Sequence, residues 1–207
     1  HIPPSSYDEI ILVDDASSDG TWAVANSLPL TAIRHRKNRG YGGNQKTCYE
    51  AALKKGADIV VMIHPDYQYD PRVIPFAAGF IMTDICDVVL GSRFLPGASD
   101  SDRSPFRTII SRLSGIIFRL LLGINLTDMG SGFKTYKREA LLSIKPQSLF
   151  SQKGLAISME SIFRVLKKGF IVKEIPIVFK NRRAGQSKLS WKDFFEPVII
   201  CFKLIWS

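Results

Sequence analysis

Cysteine is scarce in this chain of 207 residues, with only Cys48, Cys86 and Cys201 present. Three is an odd number, the positions are far apart, and neither C-x-x-C nor zinc-finger spacing occurs. A disulfide-stapled small fold is thereby excluded, and a reducing compartment is the simplest setting. Acidic side chains are in deficit as well, 19 against 28 Lys plus Arg, for a net charge of +9. That balance predicts attraction to phosphates, nucleic acid or a membrane surface. The basic residues are dispersed and no helix-turn-helix, RNP or zinc signature accompanies them, which argues against nucleic acid as the partner. Long apolar runs are missing too. The longest, Ile109 to Leu126, is interrupted by Arg112 and Arg119 and falls short of the roughly 20 apolar residues a bilayer span requires. No repeat, linker, biased tract or signal peptide is visible, and the chain opens on His1 rather than Met. The expectation is one domain over 1–207, given as a fragment incomplete at its N-terminus and open at its C-terminus.

What is present is an ordinary globular composition, 45% hydrophobic and 23% charged, enough for a sizeable core. Apolar runs of strand length alternate with amphipathic helical stretches, the pattern of an α/β domain. Glu9 to Asp14 reads as a strand buried on both faces, as in a parallel sheet covered by helices. A helix from Thr21 follows, then a strand over Thr31–Arg36, a Gly-rich turn at Gly40–Gly43, and a helix from Asn44 to Lys55 stopped by Gly56. Asp58–His64 is the next strand, Pro71 opens a helix, Asp87–Gly91 is another strand, and a long helix runs from Pro105 to about Leu122. Beyond it the alternation loosens, with a short strand at Phe133–Tyr136, a helix over Ile157–Lys168 ended by Gly169, and a strand over Ile171–Phe179. A last helix begins near Ser190, with Asp193 in the capping-box position.

In an open α/β sheet ligands bind at the carboxyl ends of the strands, and two strand ends here are acidic. The first is Asp14-Asp15-Ala16-Ser17-Ser18-Asp19-Gly20-Thr21. A plain turn with Asp19 as N-cap would need only one of its acids. The second is His64-Pro65-Asp66-Tyr67-Gln68-Tyr69-Asp70-Pro71. Asp66 and Gln68 offer oxygen ligands for a hard divalent ion, and a nitrogen from His64 would favour Mn over Mg. The alternative is a Pro- and Asp-rich loop that merely starts the next helix.

Val13-Asp14-Asp15-x-Ser17-x-Asp19-Gly20-Thr21 resembles the nucleotide-binding signature of the family 2 inverting glycosyltransferases, and the second acidic end resembles their D-x-D segment. The form is close to the D-A-D-x-Q of dolichol- and polyprenol-phosphate sugar transferases. Three further stretches agree in order: Gly91-Ser92-Arg93, Asp128-Met-Gly-Ser131-Gly132-Phe133-Lys134, and Arg182-Arg183-Ala184-Gly185-Gln186-Ser187-Lys188. The resemblance implies a GT-A fold, a Rossmann-like, mostly parallel sheet flanked by helices. It implies that Asp14, Asp15, His64 and Pro65 lie at the nucleotide and that Asp66 and Gln68 hold a Mg or Mn ion bridging the diphosphate. Arg93 would face the phosphates, and Arg182 and Lys188 would close over the donor and neutralise the leaving diphosphate. The chain departs from the pattern twice: His64 stands where the family has the first acid, and nothing before Tyr7 resembles the family's opening strand and base-gripping turn.

Inverting transfer needs an acceptor oxygen to attack the anomeric carbon. A lipid phosphate is already anionic, whereas a hydroxyl needs a base such as Asp128, which is otherwise a turn acid. Between Pro105 and Leu122 a broad apolar face is set beside Arg107, Arg112 and Arg119. Such a helix either packs in the core or lies in a membrane interface with Arg112 and Arg119 drawing an anionic head group. The expected activity is transfer of a sugar from a nucleotide-diphospho-sugar to a polyprenyl phosphate, in the cytoplasm or peripherally on the membrane's cytoplasmic face. Transfer to a saccharide hydroxyl and a non-catalytic relative are the alternatives.

Overall fold

The structure, a computed structural model, describes residues 1–100, 123–149 and 156–180, with residues 112, 115, 116, 119 and 120 of the segment between. Those five are helical, in keeping with the helix expected over Pro105–Leu122. The helix expected from Ser190 and the stretch holding Arg182 and Lys188 lie outside the described residues.

Strand β1 (Ile11–Asp14) pairs in parallel with β2 (Thr31–Arg34) through the helix α1 (Thr21–Ser27). Helix α2 (Gly40–Lys54) then leads to β3 (Ile59–Met62). A short 3-10 turn at Pro71–Val73 runs into α3 (Ile74–Met82), followed by β4 (Val88–Ser92) and the two-residue β5 (Ser99–Asp100). After the helical residues come β6 (Lys134–Lys137), α4 (Arg138–Ser143), α5 (Ala156–Lys167), β7 (Val172–Pro176) and β8 (Val178–Phe179). β3, β6, β4 and β7 form one sheet in that order, β1 with β2 a second, and β5 with β8 a third.

β6 is antiparallel to both β3 and β4, while β4 and β7 are parallel. Every residue of β4 is buried, which is why Val-Val-Leu-Gly-Ser reads as a continuous run without alternation. Side chains of a strand point alternately to opposite faces. Val88 and Leu90 therefore enter one core with Tyr49, Tyr136, Leu141, Ile162 and Phe163, from α2, β6, α4 and α5. Val89 enters the other, with Ile74, Ala77 and Ile81 of α3 and with Phe133 and Ile175. Each fully buried aliphatic side chain contributes about 1.5–3 kcal/mol.

Three boundaries differ from the sequence reading. The glycines expected as a turn form the first turn of α2, where Gly40 supplies a positive φ of 74°. The single strand expected over Ile171–Phe179 is broken after Pro176. There Ile177 N–H donates to Ser92 O (3.0 Å) while Ile177 O accepts from Ser99 N–H (3.3 Å), so the chain steps from the central sheet to β5. Helix α4, only six residues long, carries too little periodicity to be legible.

Gly91 is where β4 meets that crossing. A Cβ there would sit 2.9 and 3.0 Å from the Ile177 side chain and 3.0 Å from Phe133. Gly91→Ala should therefore cost about 1–3 kcal/mol of stability by overpacking, measured by urea denaturation. An unchanged midpoint would show that the crossing is loose.

Candidate active site

The first turn of α2 joins the two acidic strand ends. Asp15, just past β1, accepts the backbone N–H of Arg39 (2.8 Å, Oδ1) and of Gly40 (2.8 Å, Oδ2). These are orphan donors of the helix N-terminus, where a carboxylate is also favoured by the helix dipole. His35 Nδ1 lies 2.6 Å from the same carboxylate, and its Nε2 lies 2.9 Å from the Thr47 hydroxyl on α2. Because an ionised carboxylate only accepts, Nδ1 is the donor. One residue further along α2, the Tyr41 hydroxyl lies 2.8 Å from His64 Nε2 at the end of β3. Asp15 and His64 are thus held within three residues of one helix.

Asp14 is buried beside this turn. Its Oδ1 accepts from Ser17 N–H (3.2 Å). Arg34 Nε is 3.1 Å from Oδ2 but its N–H is not aligned, so that oxygen has an ion-pair partner and no hydrogen bond. Asp19 accepts from Thr21 N–H (2.9 Å) in the turn before α1, but the N-cap is Gly20 and not Asp19, a correction to the capping role weighed for it.

His64 packs edge-on against Tyr41 and Tyr69, with ring centroids 5.4 and 5.5 Å apart. Its imidazole fills the space a side chain would need at residue 132. A Cβ on Gly132 would lie 2.5 and 2.7 Å from His64 Cε1 and Nε2. Tyr69 OH accepts the Gly132 N–H at 2.8 Å. Of the imidazole nitrogens considered for a metal, Nε2 faces the Tyr41 hydroxyl. Pro65, at the start of the loop, is exposed.

In the loop that follows, Gln68 N–H donates to Asp66 Oδ1 (3.1 Å), with Tyr67 between them at φ +61°. Ala16, in the other acidic end, has φ +59°. Non-glycine residues held there cost about 1 kcal/mol or more and mark loops whose surroundings over-determine them. Lys180 N–H donates to Gln68 O (2.8 Å), and Tyr69 bridges to Phe179. The residue two positions before Arg182 is therefore pinned to the Asp66–Gln68 loop. Among the described residues no group of three His, Cys, Asp or Glu side chains is arranged to hold a metal. One carboxylate and one amide oxygen suit an ion that completes its shell with diphosphate oxygens and water, as Mg does, and do not suit a resident ion.

Arg93 follows β4, and its guanidinium grips Asp128 in a fork, Nε to Oδ2 at 2.7 Å and NH2 to Oδ1 at 2.8 Å. Its backbone N–H also reaches Oδ2, at 3.1 Å. The pair is almost entirely buried, the setting in which such charge-assisted bonds are strongest. Phe94 lies beside it, and Arg93 and Arg112 each place a guanidinium 5.5 Å from the Phe94 ring. Arg119 contributes its carbonyl to Ile124 N–H (3.2 Å). Lys134, on β6, is fully buried and donates through Nζ to Ser131 O (2.5 Å). Burial holds its amine down to about 7, against the opposing pull of Asp128.

Three participants escaped the sequence reading, His35, Tyr41 and Glu174, and Lys134 entered it only as part of a motif, with no role of its own. Glu174 carries the one visible signal, an acid beside Lys173 among apolar strand residues; it accepts the N–H groups of Thr127 and Asp128 from β7. His35 and Tyr41 act through contacts 20 or more residues apart that no local spacing encodes.

The fold is shared with solved structures. Glucosyl-3-phosphoglycerate synthase of Mycobacterium tuberculosis, in complex with phosphoglyceric acid, superposes with a TM-score of 0.71 at 18% identity, covering 95% of this chain and 69% of that one. A second structure of the same enzyme, in complex with Mn2+, UDP-glucose and phosphoglyceric acid, gives 0.70 at 17% identity, covering 95% and 68%. The fold is that of the GT-A glycosyltransferases. Residues 4–144 match glycosyl transferase family 2, and the chain belongs to that family. An undecaprenyl-phosphate mannosyltransferase of Micrococcus luteus is 32% identical over 196 residues, covering 92% of this chain and 79% of that protein. A polyprenol monophosphomannose synthase of Mycolicibacterium smegmatis is 30% identical over 195 residues, covering 91% and 73%.

The buried Lys134 gives the protein a pH signature. Folded, its amine titrates near 7, and free in the unfolded chain near 10.5. Between those values the unfolded state binds the extra proton, so this residue's contribution to stability rises with pH across that window and its full penalty is present below 7. Lys134→Met should therefore gain stability relative to the native chain as pH falls from 10 to 7, read from paired thermal melts. A constant difference across that range would refute the buried amine.

Proposed function

We propose that this chain transfers a sugar, with inversion, from a nucleotide-diphospho-sugar to a polyprenyl phosphate, working peripherally on the cytoplasmic face of the membrane. The observation that carries the choice of acceptor is the Arg93–Asp128 fork. Both Asp128 oxygens are held by one guanidinium, so the carboxylate is not presented as a base for a hydroxyl acceptor. A phosphate acceptor needs none, because its oxygen is already an anion. The names of the Micrococcus and Mycolicibacterium relatives support the same acceptor and point to mannose as the sugar. Among the described residues no helix is long and apolar enough to cross a membrane.

The acceptor's phosphate oxygen forms a bond to the anomeric carbon as the bond from that carbon to the donor diphosphate breaks. The electron pair leaves with the nucleoside diphosphate. Asp66 and Gln68 are the side chains that would hold a Mg or Mn ion on that diphosphate, where it would offset the charge that develops on departure. Structures of M. tuberculosis glucosyl-3-phosphoglycerate synthase in complex with Mn2+ or Mg2+ and UDP support such an ion. Arg93, at the end of β4, would meet the donor phosphates, and Arg112 would take the acceptor's phosphate; their guanidinium groups each lie 5.5 Å from the Phe94 ring, which supports a shared phosphate region. Asp14, Asp15, His64 and Pro65 shape the nucleotide end. Asp15 and His64 do so by fixing the start of α2 rather than as free ligands. Arg182 and Lys188 would close over the donor from the segment that Lys180 anchors.

Two measurements test this. UDP, GDP and their sugar adducts, each with Mn, are offered in a thermal-shift series. One nucleotide at about 100 times its dissociation constant should add roughly 2.7 kcal/mol of stability, and Asp66→Asn should abolish the metal-dependent part. Absence of a shift with every nucleotide would favour a non-catalytic relative. With the donor identified, radiolabelled sugar should pass to undecaprenyl phosphate and not to undecaprenol. Labelling of the alcohol, or of a saccharide alone, would overturn the phosphate acceptor.

A further inference from the structure

Glu174 lies on β7 and has no part in the reaction, yet its carboxylate takes hydrogen bonds from three donors. Thr127 N–H donates to its two oxygens at 2.9 and 2.8 Å, the Thr127 hydroxyl lies 3.0 Å from each, and Asp128 N–H donates at 2.9 Å. An ionised carboxylate only accepts, so the Thr127 hydroxyl is the donor there. Ser92 Oγ, 2.6 Å from Thr127 Oγ1, must then donate to Thr127, and it accepts in turn from Phe94 N–H at 3.1 Å. All these bonds run one way, from the end of β4 to Glu174. They enclose Arg93, which stands between Ser92 and Phe94 in sequence and is forked to Asp128.

We propose that Glu174 is a positioning residue for the donor diphosphate: by fixing the backbone of Thr127 and Asp128 and the hydroxyls of Thr127 and Ser92, it holds the Asp128 carboxylate so that Arg93 faces the phosphates in a single orientation. This rests on the reading of Arg93 as a phosphate contact. Substituting Gln keeps the volume but turns an amide N–H toward backbone N–H groups and removes one acceptor oxygen. The fork then loses its anchor while Arg93 and Asp128 remain. Partners that orient a ligand-binding group, without touching the ligand themselves, commonly change affinity or activity by about 10- to 100-fold.

Titration calorimetry of the full chain with UDP and with GDP, in Mn2+, compares native protein, Glu174→Gln, Thr127→Val, Arg93→Ala and the Glu174→Gln/Arg93→Ala double variant. Uridine and guanosine serve as probes that lack phosphate. The expected result is a loss of about 10- to 100-fold in diphosphate affinity for Glu174→Gln with nucleoside affinity unchanged. The double variant should bind no more weakly than Arg93→Ala alone, because both changes remove one interaction. Thr127→Val, which keeps the backbone donors, should show a smaller loss of the same kind and decides the matter if Glu174→Gln does not fold. Unchanged diphosphate affinity, an equal loss for the nucleosides, or losses that multiply in the double variant would overturn the proposal. Binding of neither diphosphate by the native chain would instead overturn the donor reading, and this proposal with it.

Discussion

The first turn of α2 is the constraint on which the rest of the site depends. A helix start carries backbone N–H groups with no partner inside the helix, and here a carboxylate from a different strand satisfies two of them. That single arrangement fixes where β1 ends relative to α2, orients His35, and aims Tyr41 at His64. His64 in turn seats Gly132, and through the Gly132 turn the positions of Ser131 and Lys134 follow. A chain of short, mostly charge-assisted contacts thus passes from one strand end to the next, where backbone pairing supplies none.

The substitution of a histidine for the first acid of the D-x-D segment is intelligible in these terms. An acid at residue 64 would place a second carboxylate close to Asp66. The imidazole instead fills a slot between two tyrosine rings and against a glycine. It converts a position that contacts ligand in the family pattern into one that packs the loop. Asp66 and Gln68 keep the segment's side-chain oxygens, and the loop is stiffened by contacts on both sides, with Tyr69 bonded to Gly132 and Gln68 bonded to Lys180.

Much of the fold was legible because strands buried on both faces and amphipathic helices write themselves into the sequence at their own periods. β1, β3, β4 and α5 fall within a few residues of where that pattern places them. β6 was readable as a strand but not as one reversed between β3 and β4, since direction depends on tertiary packing. The motif residues Asp15, Asp66, Gln68, Arg93 and Asp128 were legible as chemistry. What could not be read was how they are employed. Asp15 and Asp128 both look like free acids in the sequence, and each is bound by groups 20 or more residues away. Nothing local in the sequence shows that Lys134 lies inside, over a carbonyl of the preceding turn.

Among the described residues, β1 and β2 share no ladder hydrogen bonds with the four-stranded sheet. Side chains help link them: Asn44 on α2 donates to Val13 O, and Asp15 and His35 tie the same carboxyl end of β1–β2 to that helix. Cooperative units of unfolding follow hydrogen-bonded networks. The pair β1–β2 is therefore a smaller hydrogen-bonded unit, whose amides should exchange at a lower free energy than those of β4. Ligand that bridges the two acidic ends would weld the units together, making substrate part of the structural cement of the domain.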